Sequence, residues 1–152
     1  MVEIPLTQGK VAFVDDDDLD LVDGYKWYAQ RTAEGRWYAA TMIRGYVVLM
    51  HRLLMNAQDG IEVDHINGNT LDNRRENMRF ATRSQNMQNA RKRKGTTSKY
   101  KGVSWQRGKW IVQIQINGKC SYLGRYSDEE EAARVYDEAA KEAFGEFASL
   151  NF

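Results

Sequence analysis

One cysteine, Cys120, stands in the 152 residues, which excludes an intramolecular disulfide and any cysteine-rich structural zinc knot. No apolar run reaches the ~18–20 residues of a membrane span. The N-terminus lacks the pattern of a secretory leader, and neither an internal repeat nor a low-complexity block is present. The expectation is therefore a protein of a reducing, cytoplasmic compartment with no membrane partner. An excess of charge of one sign is missing too: the formal net charge is +1. That argues against a uniformly basic nucleic-acid binder, but the average hides segregation. The first fifty residues are acidic on balance, whereas His51 to Tyr100 carry a basic excess.

The richest stretch runs Val63-Asp64-His65-Ile66-Asn67-Gly68-Asn69-Thr70-Leu71-Asp72-Asn73, followed by Glu76-Asn77-Met78-Arg79-Phe80-Ala81-Thr82-Arg83-Ser84-Gln85-Asn86. Glu62-Val63-Asp64 alternates and reads as a short strand. Asn67-Gly68 is a tight-turn signal, because both residues tolerate positive φ. Met78-Arg79-Phe80-Ala81 alternates again as the return strand. Thr82 and Gln85 form a capping box that places Asn86 in the first turn of a helix. A strand end, a loop and a helix start can bring Asp64 and Asn86 to one cation. Oxygen-only ligands suit Mg²⁺ or Mn²⁺, with water and phosphate completing the shell. His65, next to Asp64, points to the other side of the strand and is left to act on water.

This segment resembles the HNH nuclease family of phage and intron-homing type, whose site is the ββα-metal fold. The resemblance implies Asp64 and Asn86 as ligands of a single metal ion, His65 as general base, and Asn77 as the residue that orients the base and pins the loop. Similar phage proteins carry a Met-His-Arg element before the Asp-His pair, here Met50-His51-Arg52. His51 is either a packing residue or an accessory substrate contact, and Arg52 is placed for phosphate. A phage origin would put the protein in the cytoplasm of the host cell.

The C-terminal third has a different grammar. Tyr100 to Trp105, Gly108 to Ile116 and Lys119 to Gly124 read as three strands, with Asn117-Gly118 as a hairpin turn. Trp110, Val112, Ile114 and Ile116 share one face by period two, and Gln113 and Gln115 lie on the other. A helix follows from about Asp128 to Phe144, with Ser127 expected as N-cap and Gly145 as its end. Its apolar stripe is Ala132, Ala133, Tyr136, Ala139, Ala140, Ala143 and Phe144. Tyr-Lys-Gly-Val, Gly-Lys-Trp, Tyr-Leu-Gly, Glu-Glu-Ala-Ala-Arg-Val-Tyr-Asp-Glu-Ala-Ala and the final Leu-Asn-Phe are similar to the Apetala/ethylene-response-factor DNA-binding domain. That family lays a three-stranded sheet in the major groove. The resemblance implies DNA contacts from Lys101, Gly102, Ser104, Gln106, Gln113, Gln115 and Tyr122, with Arg107 and Lys119 reaching backbone phosphates. Plant members carry arginine at several positions that hold Ser104, Gln106, Gln115 and Cys120 here, so their GC-rich preference does not transfer. Glutamine can still read an adenine edge.

Between the two modules lies Arg91-Lys92-Arg93-Lys94. It is either a solvated linker or a phosphate-tracking segment whose affinity is set by counterion release. The first fifty residues read as short strands at Lys10–Val14, Tyr25–Ala29, Trp37–Ile43 and Gly45–Met50. The acidic run Asp15 to Asp18 opens a short helix ending at Val22. Arg31, Arg36 and Arg44 are candidate DNA contacts of these strands.

The expected organisation is α+β. It comprises an N-terminal β-rich segment (1–50), a ββα-metal nuclease motif (51–90), a basic linker (91–99) and a sheet packed on one helix (100–152). The expected function is sequence-recognising, metal-dependent hydrolysis of double-stranded DNA. One base and one metal per chain would nick one strand as a monomer. The competing class is a catalytically silent DNA-binding protein that keeps the nuclease motif as scaffold. An RNA-directed reading is weaker, because a major-groove sheet does not fit the deep, narrow groove of duplex RNA.

Overall fold

A computed structural model describes residues 1–89 and 97–152 of the chain. The architecture is α+β, and the chain divides into two compact units, Met1–Thr82 and Arg83–Phe152. Arg91, Lys92, Arg93 and Lys94 lie outside the described residues.

The first unit opens with an antiparallel pair, β1 (Val2–Pro5) and β2 (Val11–Val14), in which Val2 faces Val14 and Pro5 faces Val11. The first of these strands has no counterpart in the sequence reading. A 3₁₀ turn at Asp16–Asp18 leads into α1 (Leu19–Val22), so the acidic run does open a short helix. A three-stranded antiparallel sheet follows, in the order β3 (Tyr28–Arg31), β4 (Trp37–Ile43), β5 (Tyr46–Leu49). The expected strand at Tyr25–Ala29 begins late because Trp27 is an anchor instead. Its indole Nε1 donates to the Val22 carbonyl at 2.9 Å and its ring is buried edge-on to Tyr25. The chain then forms α2 (Met50–Leu54) and the hairpin β6 (Glu62–His65) and β7 (Met78–Ala81). One core joins these parts: Val14, Val22, Ala39, Met50, Leu54, Val63 and Met78 pack together.

The second unit begins with α3 (Arg83–Asn89), directly after β7 and the coil residue Thr82. Its sheet has the order β10 (Lys119–Tyr126), β9 (Lys109–Ile116), β8 (Val103–Gln106), all antiparallel, and it packs on α4 (Glu129–Phe144). Val112, Ile114, Ala132, Ala133, Tyr136 and Ala140 form the seam, where small alanines let the helix lie close to the strands. The N-cap is Asp128, not Ser127: its carboxylate accepts the Glu131 amide at 2.8 Å. The last strand continues past Gly124 to Tyr126 through a bulge between Tyr122 and Gly124. At the other end, Asn151 fastens the tail. Its side chain spans Asp137 on α4 and the Lys101 backbone, with Nδ2 donating to Asp137 Oδ1 at 2.9 Å and Oδ1 accepting the Lys101 amide at 2.7 Å.

Candidate active site and nucleic-acid interface

Asp64 and His65 end β6, both 4% exposed. In the hairpin Asp64 faces Arg79 and His65 faces Met78. Arg79 donates from Nε and Nη2 to Asp64 Oδ2 at 3.0 and 2.9 Å. On His65, Nε2 lies 3.3 Å from Asn73 Oδ1. The Asn73 amide nitrogen is turned the other way, toward the Leu71 carbonyl (3.1 Å) and Met50 Sδ (3.5 Å), so the oxygen is the atom presented to the imidazole. Burial pushes the His65 pKa below its ordinary value, against the raising pull of the Asn73 contact, Asp64 and Asp72. The ring is therefore neutral at neutral pH.

The loop from Ile66 to Asn77 is short of apolar residues and is held by side-chain amides instead. Asn77 accepts the Asn67 amide on Oδ1 at 2.9 Å and donates from Nδ2 to the Asp72 carbonyl at 2.8 Å. Asn67 donates to Asp72 Oδ2 at 3.0 Å, and its own Oδ1 accepts the Asn69 amide at 2.7 Å. Arg74 grips Asp72 with two bonds of 2.8 Å, which keeps that carboxyl below its usual range. Of the expected turn pair, Gly68 alone takes positive φ, at 70°. Asn77 thus pins the loop, and Asn73 is the loop side chain set against the imidazole. Sequence reading did not single out Asn73.

Contacts from the N-terminal strands complete this platform. The Asn73 amide donates to the Phe13 carbonyl at 2.7 Å, and the Phe13 amide to the Leu71 carbonyl at 2.8 Å. Thr70 Oγ1 donates to the Trp37 carbonyl. The acidic run has a structural role here. Asp18, buried, takes Arg75 Nη2 at 2.7 Å and Nε at 2.9 Å, while Asp15 accepts the Arg75 amide at 2.8 Å.

His51 on α2 packs edge-on to His65, ring centroids 5.1 Å apart, and Tyr38 on β4 lies 5.4 Å from His51 and 6.3 Å from His65. His51 is 6% exposed, and its pKa is pushed down to about 3 by burial first, then by His65 and Arg52. Arg52 directs its guanidinium at the backbone, reaching the carbonyls of Ile61 (2.7 Å), Gln58 (2.9 Å) and Ala57 (3.3 Å). It closes the turn between α2 and β6. Asn86 lies on α3, in the second unit.

The chemistry of the donors fits a hard divalent cation: a buried carboxylate on Asp64 and carboxamide oxygens, with no sulfur and no imidazole needed. Among the described residues no group of three or more His, Cys, Asp or Glu side chains is gathered for a metal. Mg²⁺ does not require one, since it keeps several waters and takes one or two carboxylates with substrate phosphate.

In the second unit, register places Ser104, Gln106, Gln113, Gln115 and Tyr122 on the sheet face away from α4: Gln113 pairs with Tyr122, Gln115 with Cys120, and Ser104 with Ile111. Gln106, Gln113, Gln115 and Tyr122 are exposed. The same face carries exposed Arg125, opposite Ile111, which sequence reading passed over. Trp105 is 45% exposed and meets Trp110 edge-on at 4.8 Å. Arg107 is exposed at the β8–β9 turn with φ 47°, and Lys119 opens β10, also exposed. Lys101 and Gly102 are engaged in the fold. Lys101 Nζ donates to the Gln88 carbonyl at 2.7 Å, and Gly102 lies against the Tyr136 ring.

Comparison with known proteins gives a consistent picture. A family model described as HNH endonuclease matches residues 49–88, from the end of β5 into α3. An uncharacterised HNH endonuclease of Acanthamoeba polyphaga mimivirus is 33% identical over 150 residues, covering 95% of this chain and 76% of that protein. An AP2-like ethylene-responsive transcription factor of Arabidopsis thaliana is 41% identical over 56 residues, 37% of this chain and 13% of its own length. An AP2/ERF and B3 domain-containing transcription repressor of the same plant is 41% identical over 70 residues, 45% of this chain and 19% of its own. The chain spans less than a fifth of each plant protein, so that similarity concerns one region of them. Among the described residues, no helix is long and apolar enough to cross a membrane.

Proposed function

The chain belongs to the HNH endonuclease family, and from that premise we propose that it hydrolyses phosphodiester bonds in double-stranded DNA with a divalent metal, Mg²⁺ or Mn²⁺. Recognition is assigned to the C-terminal sheet. The observation that carries the reading is His65: a buried, neutral imidazole beside Asp64, contacted by Asn73 on a loop that Asn77 pins.

His65 takes a proton from water, whose oxygen attacks phosphorus in line as the bond to the 3′-oxygen breaks. The departing 3′-oxygen is protonated from solvent. When bound, the cation neutralises charge building on the phosphate and the leaving oxygen. Asp64 would supply its carboxylate to it. Asn73 keeps the imidazole in one orientation, and Asn77 keeps the loop beneath it. His51, neutral and against His65, offers an imidazole N–H without adding charge. One base and one cation per chain give a nick by a monomer of homing or mobile-element type. Ser104, Gln106, Gln113, Gln115, Tyr122 and Arg125 form the reading face, with Arg107 and Lys119 at its rim. Arg91 to Lys94 would follow the backbone as a linker.

One observation favours a catalytically silent DNA binder: the Arg79 guanidinium already occupies Asp64 Oδ2. Cleavage of supercoiled plasmid by wild type and His65→Ala, in Mg²⁺, Mn²⁺ and EDTA, separates the two. Metal-dependent nicking lost in the variant while DNA binding persists is expected. Binding without cleavage by the wild type would leave the silent reading.

A further inference from the structure

The residues matched by the HNH family model begin at residue 49, yet the ring cluster around His65 includes a side chain from before that point. We propose that Tyr38 is a substrate-contacting residue whose phenol donates a hydrogen bond to a phosphate oxygen of the strand being cut. This rests on the nuclease reading above.

Three observations carry it. Tyr38 stands against both imidazoles, at 5.4 Å from His51 and 6.3 Å from His65. It is half-buried, and its hydroxyl has no hydrogen-bond partner among the described residues. Among the described residues every fully buried side-chain nitrogen and oxygen has a partner, so this hydroxyl is open to solvent and can meet a phosphate oxygen without giving up a bond within the protein. Finally, Tyr38 is tied to the loop that carries Asn73, because the neighbouring Trp37 carbonyl accepts the Thr70 hydroxyl.

The two ends of that sheet face are open, while Ala40 between Tyr38 and Met42 is buried. Gln30, the cross-strand partner of Tyr38, is exposed, and Met42, four residues along the same face, is 60% exposed. A strand of DNA whose phosphate reaches His65 would cross this face. The chemistry suits the place: a phosphodiester approaching Asp64 and Asp72 is met by a hydroxyl donor.

The test compares wild type with Tyr38→Phe, which keeps the ring and removes the hydroxyl. With plasmid DNA at saturation, nicking in Mn²⁺ should slow about tenfold or more. Binding of a DNA duplex in EDTA should weaken about threefold to tenfold, while the melting temperature stays that of wild type. Cleavage and binding both equal to wild type would overturn the proposal. If wild type fails to nick, the nuclease reading falls by itself. Duplex binding in EDTA then decides on Tyr38 alone: weaker binding by Tyr38→Phe upholds the contact and equal binding overturns it. Should Tyr38→Phe melt early, difluorotyrosine at position 38 replaces it. Fluorination lowers the phenol pKa, so a donor contact makes DNA binding weaken as pH rises, unlike wild type. A pH profile the same as wild type would refute the contact.

Discussion

Arg79 faces Asp64 across the β6–β7 ladder and places two nitrogens, Nε and Nη2, on one carboxylate oxygen. Their side chains are 12% and 5% exposed. A charge this buried needs a partner, and the guanidinium is one. A divalent cation would be another. The same carboxylate therefore serves folding through Arg79 and, in the proposed reaction, metal binding, and the two uses can be separated.

Replacing the guanidinium separates them. Arg79→Gln leaves Asp64 buried without its cation, which costs about 3–5 kcal/mol for a pair of this kind. Thermal unfolding in EDTA should show that loss, and Mn²⁺ should restore part of it by binding the folded form. A loss of the same size with and without Mn²⁺ would mean that Asp64 does not take the cation.

Asn73→Ala removes the oxygen beside His65 together with the amide that reaches the Leu71 carbonyl and Met50 Sδ. The residue is 1% exposed, so the vacated partners cost about 1–3 kcal/mol. The variant should still fold, bind DNA as wild type does and nick more slowly, with kcat falling and KM unchanged. A rise in KM at constant kcat would place Asn73 in DNA binding instead.

His51 predicts an acid limit. Its pKa is about 3 in the fold against ~6.5 in an unfolded chain, so as pH falls the unfolded state takes the proton first. Stability is therefore full above ~6.5 and declines by about 1.4 kcal/mol per pH unit below it. His65, lowered as well, adds to the same slope, while the ring of Tyr38 and the charge of Arg52 give no relief. Asp72, lowered by Arg74, loses its contribution only below the ordinary aspartate range. Chemical denaturation between pH 6.5 and 4.5 should show a shallower decline for His51→Phe than for wild type. Parallel lines would refute the buried neutral state.

Much of this was legible because it is local. β4 has the expected bounds, Trp37–Ile43, and Asn117-Gly118 turns the β9–β10 hairpin with both φ positive, at 51° and 78°. Alternation in β9 put Gln113 and Gln115 on the outer face, and the alanines put α4 on the inner one. What stayed hidden depends on distant partners. Asn67, Asn69 and Asn73 look alike as turn formers, and only the tertiary contact sets Asn73 against the imidazole. Arg75 meets Asp18 from 57 positions away. Arg125 is out of phase with Tyr122 by simple alternation, and the bulge at Tyr122/Gly124 brings it to the same face while Tyr126 turns inward to pack near Trp110.

Gly102 shows how closely the sheet and helix of the second unit approach. Its φ is 77°, and a Cβ there would stand 1.9 Å from Tyr136 Cδ2 and 2.3 Å from Cε2. Tyr136 is itself buried, so its ring has no room to withdraw. Gly108 has nearly the same backbone, φ 78°, with nothing within 4 Å of a Cβ. Alanine at Gly108 should cost only the left-handed backbone, about 1–2 kcal/mol. Alanine at Gly102 should cost that and the displaced ring as well, enough to loosen β8 from α4. Hydrogen exchange on the full chain should then show lost protection for β8 to β10 in Gly102→Ala, with β6 and β7 protected as in wild type. Gly108→Ala should leave both protected. If the two variants lose protection equally, backbone conformation alone explains the glycine, and the close approach of Tyr136 does not constrain it.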